Sequence, residues 1–479
     1  MLSQINFKYT DALEEKQYAP ELIDQAYVDI DNILNEISLP QKYLVVGPKG
    51  AGKSALSSKL QREAIGVWNK FVDTDELEQF EFKLLEKTGG EKSTSIGGAV
   101  TVWQLLLFIR IISLLLKDEL FKANNTNIEL FCNQLKAYGL SPSESIVALV
   151  QQTSRKGAFV SFKAVYSEFR GDKSSESGSK IKDPAAILDA IKDVFSTATP
   201  SESSYTLILD GLDHPIKSGR NNASYLGDLI NAVRALNAYF AERKIRAKII
   251  ILIRDEVLAA IPDPNLTKRV TDNGVVLKWY DNTRSPFETP LLKIIENRAR
   301  LVEIQGNIQE LWLEWFPSII DHRESIAFVL DNTRHLPRDI ISFFRSVQKL
   351  GRTPPYSRND VLAALGNYSE WFLSELSDAL VGFVSEEVRS ELPAMLTELG
   401  RRFTFISLEK KLTERKLHDK QSTEQLAKDL FNAYWIGNVW HTKEGTDRFS
   451  WKYRKRSAAF NRTHDIVIHS GLWKALNLV

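Results

Sequence analysis

The residues best suited to chemistry lie in the segment Gly47–Ser54, which fits the pattern G-x-x-x-x-G-K-[ST]. The apolar run Tyr43–Val46 precedes it, and Ala55–Leu60 reads as helix. A strand that turns through glycines into a helix directs successive backbone N–H groups at one point, where the β-phosphate of a nucleotide binds. The alternative is a chance match in a turn, but the preceding strand and the following helix favour a phosphate-binding loop, or P-loop.

The side chains of this loop have distinct predicted roles. Lys53 would reach the β- and γ-phosphates and take part in catalysis, and the Ser54 hydroxyl would complete the coordination shell of Mg²⁺. The sequence therefore predicts ATP and Mg²⁺ as cofactors. The other residues expected to contact the nucleotide here are Gly47, Pro48, Lys49, Gly50, Ala51, Gly52 and Ala55.

A second signal is the run Leu207–His214, which reads L-I-L-D-G-L-D-H. Four residues, Leu207 to Asp210, place a carboxylate at the C-terminal end of a buried strand, the edge at which open α/β sheets bind ligands. We expect Asp210 to hold Mg²⁺ through water and Asp213 to polarise the attacking water as a general base. The alternatives are a helix cap for Asp210 and a turn residue for Asp213.

Two arginines are further candidates. Arg254 follows the apolar run Ile251–Ile253, and an arginine at the tip of a strand beside the Asp210 strand could stabilise the charge of phosphoryl transfer. An ion pair with Asp255 or Glu256 is the alternative. Arg338 begins an amphipathic run and could reach the nucleotide from a helical lid, or could instead pair with Asp339 or cap a neighbouring helix.

Composition restricts the class of protein. The chain has 479 residues, a net charge of +1, 43% hydrophobic residues and 26% charged residues, which is typical of a globular protein of two or three domains. Its single cysteine, Cys132, excludes an internal disulfide framework and indicates a reducing, cytoplasmic location. The most apolar stretch, Val102–Leu116, is interrupted by Gln104 and Arg110 and is too short to span a bilayer, so we expect a buried helix and no membrane contact.

The spacing of the apolar runs predicts an α/β fold with a parallel sheet. Strands are expected at residues 71–74, 205–209, 247–253 and 274–279, in addition to the strand before the P-loop. They are continuous β-branched runs separated by segments of helical length, as in parallel sheets covered on both faces. From about residue 290 to residue 402 only helical periodicity is visible.

Residues 401–479 are basic, with sixteen Lys and Arg against eight Asp and Glu. The cluster 451–456, W-K-Y-R-K-R, alternates cations with aromatic residues, which suits phosphate contact and base stacking in nucleic-acid binding. A protein-contact surface or a solvated edge strand is the alternative. Before this cluster, residues 424–437 are predicted to form an amphipathic helix that ends at Gly437.

Together these residues resemble the prokaryotic P-loop ATPases of the STAND and KAP kind, which are related to AAA+ enzymes of the origin-recognition type. The resemblance is carried by Gly47–Ser54, Leu207–His214, Ile253–Asp255 and the L-P-R-D segment at 336–339. It implies a P-loop NTPase fold in which a helical lid and a winged-helix-like domain follow the sheet. It also implies nucleotide-controlled assembly, homo-oligomers, a protein partner in the same system, and a role in bacterial conflict or antiphage defence.

With that resemblance, four regions are expected. They are an N-terminal helical segment (1–40), an ATPase core (41–288) with a helical insertion around 99–156, a helical lid (289–400) and a basic winged-helix-like domain (401–479).

Three functional hypotheses remain open from the sequence. The first is an ATP-hydrolysing switch. The second is a nucleotide-gated scaffold with little hydrolysis, because His214 stands where many ATPases carry an acid. The third is a DNA-binding regulator in which the ATPase is secondary.

Overall fold

A computed structural model describes residues 2–78, 80, 98–137, 145–153, 184–212 and 223–479. The chain divides into two compact units. Unit 1 comprises residues 1–31, 47–58 and 277–479, and unit 2 comprises residues 32–46 and 59–276. The predicted P-loop, residues 47–54 and named here for its sequence motif, therefore belongs to unit 1, whereas the strand that precedes it belongs to unit 2.

Unit 2 is built on a five-stranded parallel sheet, which confirms the predicted α/β class. The strand order is β2-β3-β4-β1-β5. Because the strands are parallel, their carboxyl ends share one edge, where Val46 is in register with Ile253 and Glu76 with Asp210. The strands are β1 (Leu44–Val46), β2 (Lys70–Glu76), β3 (Ser204–Asp210), β4 (Ala247–Ile253) and β5 (Gly274–Val276).

Burial explains why these runs are strands. All four residues from Leu207 to Asp210 are buried, as are all five from Ile249 to Ile253, so both faces of these central strands are covered. The predicted extent of the last strand, 274–279, was wrong, since β5 ends at Val276. Beyond it Trp279 turns its indole Nε1 toward the carbonyl oxygen of Ala51, to which it donates at 2.8 Å.

The helices of unit 2 include the predicted buried apolar helix, which spans Gly98–Leu115 and carries Arg110. No helix in the described part of the chain is both long enough and apolar enough to cross a bilayer. The helices are α3 (Ile33–Ser38), α5 (Gly98–Leu115), α6 (Glu119–Asn124), α7 (Thr126–Ala137), α8 (Ile146–Thr153), α9 (Pro184–Phe195), α10 (Ala223–Glu242), α11 (Asp255–Ala259) and α12 (Leu266–Asn273). Helix α4 (Lys53–Ala64) begins in the unit 1 segment and ends in unit 2.

Unit 1 is helical between residues 290 and 399, as predicted, apart from the two-residue strands β6 (Ile319–Ile320) and β7 (Arg323–Glu324). Capping boxes start α14 at Asn307 and α17 at Ser357. The helices of unit 1 are α1 (Ala12–Tyr18), α2 (Pro20–Gln25), α13 (Pro290–Arg300), α14 (Ile308–Trp315), α15 (Ser325–Asp331), α16 (Pro337–Gln348), α17 (Arg358–Ala379), α18 (Glu386–Leu399), α19 (Phe405–Glu414) and α20 (Thr423–Asn432).

The C-terminal residues form a small mixed region with an antiparallel sheet of order β10-β9-β11-β8. Its strands are β8 (Arg402–Phe403), β9 (Ile436–His441), β10 (Asp447–Ser450) and β11 (Asp465–Ile468). The predicted helix 424–437 was too long: α20 ends at Asn432, and Tyr434 takes a left-handed φ of 66°. Gly437 lies in β9, where a Cβ atom would come within 2.7 Å of the Trp451 ring.

Candidate functional site

The P-loop takes the conformation that its glycines permit. Gly50 and Gly52 have φ angles of 89° and 94°, a region that favours glycine. A Cβ atom on Gly47 would lie 3.1 Å from the Cβ of Leu277 and 3.2 Å from that of Ala51. The glycines of the motif are therefore required by backbone angle at two positions and by close packing at the third.

Lys53, the first residue of α4, is buried, with 8% of its surface exposed. Its Nζ donates hydrogen bonds to the carbonyl oxygens of Gly47 at 2.8 Å and Pro48 at 3.0 Å. The ammonium group is thus held inside the curve of the loop. Ser54 follows in the first turn of the helix and is partly exposed.

An apolar cavity in unit 1 adjoins the loop. It is partly open to solvent. Ala51, Gly52 and Ala55 form one side, and the indole of Trp279 is fixed against that side by its hydrogen bond to Ala51. The remaining lining comes from the N-terminal segment and the helical region: Glu15, Leu22, Ile23, Ala26, Tyr27, Val28, Ile30, Leu277, Ile294, Arg298, Pro337 and Ile341.

Two charged side chains line this apolar cavity. Glu15 and Arg298 form an ion pair, and Arg298 Nη1 also donates to the carbonyl oxygen of Asn6 at 2.9 Å. Burial is the main influence on Glu15 and leaves its pKa raised despite the nearby Arg298. The Nε of Arg298 is buried and has no hydrogen-bond acceptor among the described residues. The cavity is therefore apolar except for this one ion pair.

Arg338, the predicted lid arginine, lies against the loop. Its backbone N–H points at the carbonyl oxygen of Gly50, 3.4 Å away. Its guanidinium Nη1 lies 3.2 Å from Glu375, its Nη2 3.3 Å from Asp11, and its Nε donates to the carbonyl oxygen of Thr10. The predicted pairing with Asp339 does not occur, because Arg334 occupies that carboxylate. The reach of Arg338 to a nucleotide stays a prediction.

Asp210 ends β3 in unit 2 and is buried, with 8% exposed. Its Oδ1 accepts a hydrogen bond from the Gly211 N–H at 2.8 Å. Gly211 has a φ of 76°, and a Cβ atom there would lie 2.9 Å from the backbone nitrogen of Glu78. The D-G pair in the sequence therefore reflects a turn that only glycine fits.

Arg254 lies one residue beyond β4, at the N-cap of α11. Because β4 pairs with β3, Arg254 and Asp210 follow neighbouring strands at the same edge of the sheet, as predicted. The predicted general base Asp213 and the neighbouring His214 lie outside the described residues. No group of three or more His, Cys, Asp or Glu side chains suited to a metal ion occurs within the described ranges.

The basic cluster 451–456 is partly internal. Trp451 is 7% exposed, and Arg454 lies over the ring of Tyr280 and 3.3 Å from Asp331. The exposed cations of the cluster are Lys455 and Arg456. Trp451 and Arg454 thus take part in packing within unit 1, and Lys455 and Arg456 are the cations left to contact a partner.

Several site residues carry no signal in the sequence. Neither Glu375 nor Asp11 belongs to a motif, and each meets Arg338 only through folding, Glu375 from 37 residues away and Asp11 from 327 residues away. Trp279 was assigned to a strand. Only its position next to the loop identifies it as part of a cavity wall.

One comparison with known families gives a match. Residues 289–377 match the model of the FunZ-associated C-terminal helical domain. The matched range begins just before α13, ends within α17, and contains Arg334, Arg338 and Glu375. No curated protein matches the chain. The chain therefore carries a C-terminal helical domain similar to that family over about a fifth of its length.

Proposed function

We propose that this protein is an ATP-binding and ATP-hydrolysing P-loop switch whose nucleotide state controls assembly with a protein partner or nucleic acid. The observation that carries the proposal is in unit 1, where a loop of left-handed glycines with a buried lysine opens beside an apolar cavity. Loops of this kind bind phosphates, and apolar cavities with few polar groups bind small ligands.

The P-loop would bind the triphosphate. The backbone N–H groups of the segment Gly47–Ala55, in which Pro48 has none, would cradle it. The Lys53 ammonium would exchange its two carbonyl acceptors for phosphate oxygens. Ser54 and Asp210 would hold Mg²⁺, which offsets the charge of the phosphates. Asp213 would orient the attacking water, and Arg254 would stabilise the transferred phosphoryl group.

The cavity would take the nucleobase. Trp279 supplies an aromatic wall, and the Glu15 carboxylate could accept a hydrogen bond from an exocyclic amine such as that of adenine. This arrangement supports ATP as the nucleotide.

The test of this function is multi-turnover phosphate release from the full chain with MgATP, with and without DNA. Lys53→Ala should abolish release, and Asp210→Asn should reduce it by two orders of magnitude or more, since the amide keeps the bond from Gly211 but cannot neutralise Mg²⁺. Unchanged release in Lys53→Ala would refute the proposal.

A nucleotide-gated scaffold is the second candidate, and the ion pairs of Lys49 and Arg338 with Glu375 favour it. They connect the loop to the helical region of unit 1 without any role in hydrolysis. ATP-dependent assembly with negligible phosphate release would support the scaffold, whereas brisk release would support the switch.

The biological setting is proposed from the resemblance to STAND and KAP ATPases and from the match to the FunZ-associated domain. Both favour a cytoplasmic component of a bacterial defence system that works as a homo-oligomer with a partner. The order of elements from α18 to β10 (helix, strand, two helices, two strands) supports a winged-helix-like domain. Nucleic-acid contact through residues 451–456 is therefore retained as part of the proposal.

A further inference from the structure

Glu375 lies at the centre of an ion cluster in unit 1 that includes a side chain of the P-loop. Its Oε2 is 3.0 Å from Lys49 Nζ, and its Oε1 is 3.2 Å from Arg338 Nη1 and 3.9 Å from Arg334 Nη2. Only 9% of the Glu375 side chain is exposed. One nearly buried carboxylate therefore faces three cations.

The charges of this cluster balance within the protein itself. Asp339 binds Arg334 through two hydrogen bonds, at 2.9 Å to Nε and 2.5 Å to Nη2, and Asp11 pairs with Arg338. Burial acts to raise the pKa of Glu375, but the positive charges of Arg334, Arg338 and Lys49 outweigh it and leave the pKa below its usual value. The carboxylate is thus ionised at neutral pH.

Lys49 is the member of the cluster that can change partners. Its other carboxylate neighbour, Asp378, lies 3.7 Å away with 71% of its side chain exposed, so that pair contributes little. Arg334 is almost completely buried and is fixed by Asp339. A phosphate bound in the loop would compete with Glu375 for Lys49, while Glu375 would keep both arginines.

The loop is also packed against the helix that carries Arg338. A Cβ atom on Gly50 would approach the Arg338 Cβ to 3.0 Å, so backbone and side chain are already in close contact. A shift of the loop on phosphate binding would therefore be transmitted to the first turn of α16 as well as to Glu375 in α17.

We propose that Glu375 is a positioning residue that couples the P-loop to the helical region matched by the FunZ-associated domain. It holds Lys49 in the absence of nucleotide and yields it to phosphate when ATP binds. This inference rests on the proposed function, because it requires a phosphate in the loop. It assigns the helical region the role of sensing whether the loop is occupied.

The test is a double-mutant cycle on the affinity for ATP, measured by equilibrium titration of the full chain. Glu375→Gln removes the competitor for Lys49 and should lower the dissociation constant by about 3- to 10-fold. In a Lys49→Ala background the same substitution should have no effect, because the contact has already gone. Glu370→Gln, an exposed acid on the same helix, is the matched control and should change nothing.

Equal effects of Glu375→Gln in both backgrounds, or none in either, would overturn the inference while leaving ATP binding intact. Absence of ATP binding by the unmodified chain would instead overturn the proposed function and the inference with it. A measurement without variants guards against misfolding: ATP should speed amide hydrogen exchange around residue 375 in the unmodified protein. Unchanged or slower exchange there would contradict the coupling.

Discussion

Each unit contains one buried arginine that is shared between two carboxylates, but the two clusters have different surroundings. In unit 2, Arg110 Nη2 bonds Asp73 at 2.6 Å and its Nε bonds Asp75 at 3.0 Å. In unit 1, Arg334 bonds Asp339 and faces Glu375. The first cluster joins α5 to the edge strand β2 and includes no P-loop residue. The second extends to the loop through Lys49, so only it can respond to a phosphate there.

The carboxylates of the two clusters also differ in their pKa. Burial raises the pKa of Asp75 more than the positive charge of Arg110 lowers it. For Glu375, burial is outweighed by three cations and the pKa is lowered. In unit 2 one buried cation, Arg110, lies between two acids, whereas three cations surround the single carboxylate of Glu375. The Arg110 cluster therefore stabilises the fold of unit 2. The Glu375 cluster can lose the contact to Lys49, because Glu375 still keeps two arginines.

The largest expected effect is on the stability of unit 2. Arg110→Met should lower its free energy of unfolding by about 3–5 kcal/mol, because Asp75, with 3% of its side chain exposed, loses its counter-ion in the interior. The affinity for ATP, measured under folding conditions, should not change. Denaturant unfolding and nucleotide titration check the two parts.

Lys117→Met is the control for that substitution. Lys117 pairs with Asp73 at 3.0 Å, but 55% of its side chain is exposed, so its loss should cost less than about 1 kcal/mol. If Arg110→Met weakened ATP binding while the protein stayed folded, it would be wrong that the Arg110 cluster only stabilises the fold and that only the Glu375 cluster responds to phosphate.

A smaller expected effect is a difference between the two units in how their stability depends on pH. Burial lowers the pKa of His335 to about 4 and that of His469 to about 3. Both titrate at about 6.5 when unfolded, so the unfolded chain takes up protons that the folded chain does not. The stability of unit 1 should therefore fall as the pH drops from about 6.5 to 4, by about 1–2 kcal/mol per histidine at pH 5.

Unit 2 has no histidine among its described residues, so it should show no such loss over this range. Unfolding followed by peptide-resolved hydrogen exchange at two pH values measures both units. His469→Asn should weaken the dependence, because the amide oxygen can still accept the Gly471 N–H that His469 Nδ1 accepts. His418→Asn, at an exposed site, should leave it unchanged. Equal pH dependence of stability in both units would contradict the assignment of the acid-induced loss to His335 and His469.

The smallest expected effect concerns cations that are exposed instead of buried. Lys455→Glu with Arg456→Glu should weaken any DNA binding and reduce the salt slope by about 2, since each cation contacts about one phosphate. Arg454 is unsuitable for this test because it packs between Tyr280 and Tyr453 and pairs with Asp331. Lys410→Glu, elsewhere in the same region, is the control. An unchanged salt slope in the double variant would contradict DNA contact through Lys455 and Arg456.

Much of the fold could be predicted because its signals are local. The P-loop pattern requires a strand, a glycine turn and a helix, and β1, the left-handed Gly50 and Gly52, and α4 follow in that order. β4 was predicted with its bounds, since five consecutive apolar positions, Ile249–Ile253, are too few for a helix and are typical of a buried strand. β5 and α20 were predicted too long because distant packing of Trp279 and a left-handed Tyr434 ended them early.

The candidate site was less predictable because its contacts are distant in sequence. Nothing near Lys49 indicates that its ion partner is Glu375, 326 residues later. The cavity wall combines the P-loop with α2, Trp279 and α13, and these last three have no motif of their own. Spacing predicts the phosphate loop, but only the folded chain shows what lies beside it.

The central claim is that this loop grips a triphosphate through Lys53. Calorimetric titration of MgATP into the full chain tests it most directly, with Lys53→Ala compared against Lys59→Ala, a lysine on the same helix that pairs with Glu63. We predict a single site in the unmodified chain and in Lys59→Ala, and a loss of at least about 100-fold in affinity in Lys53→Ala, equivalent to about 2.7 kcal/mol. Equal affinity in all three proteins would contradict it.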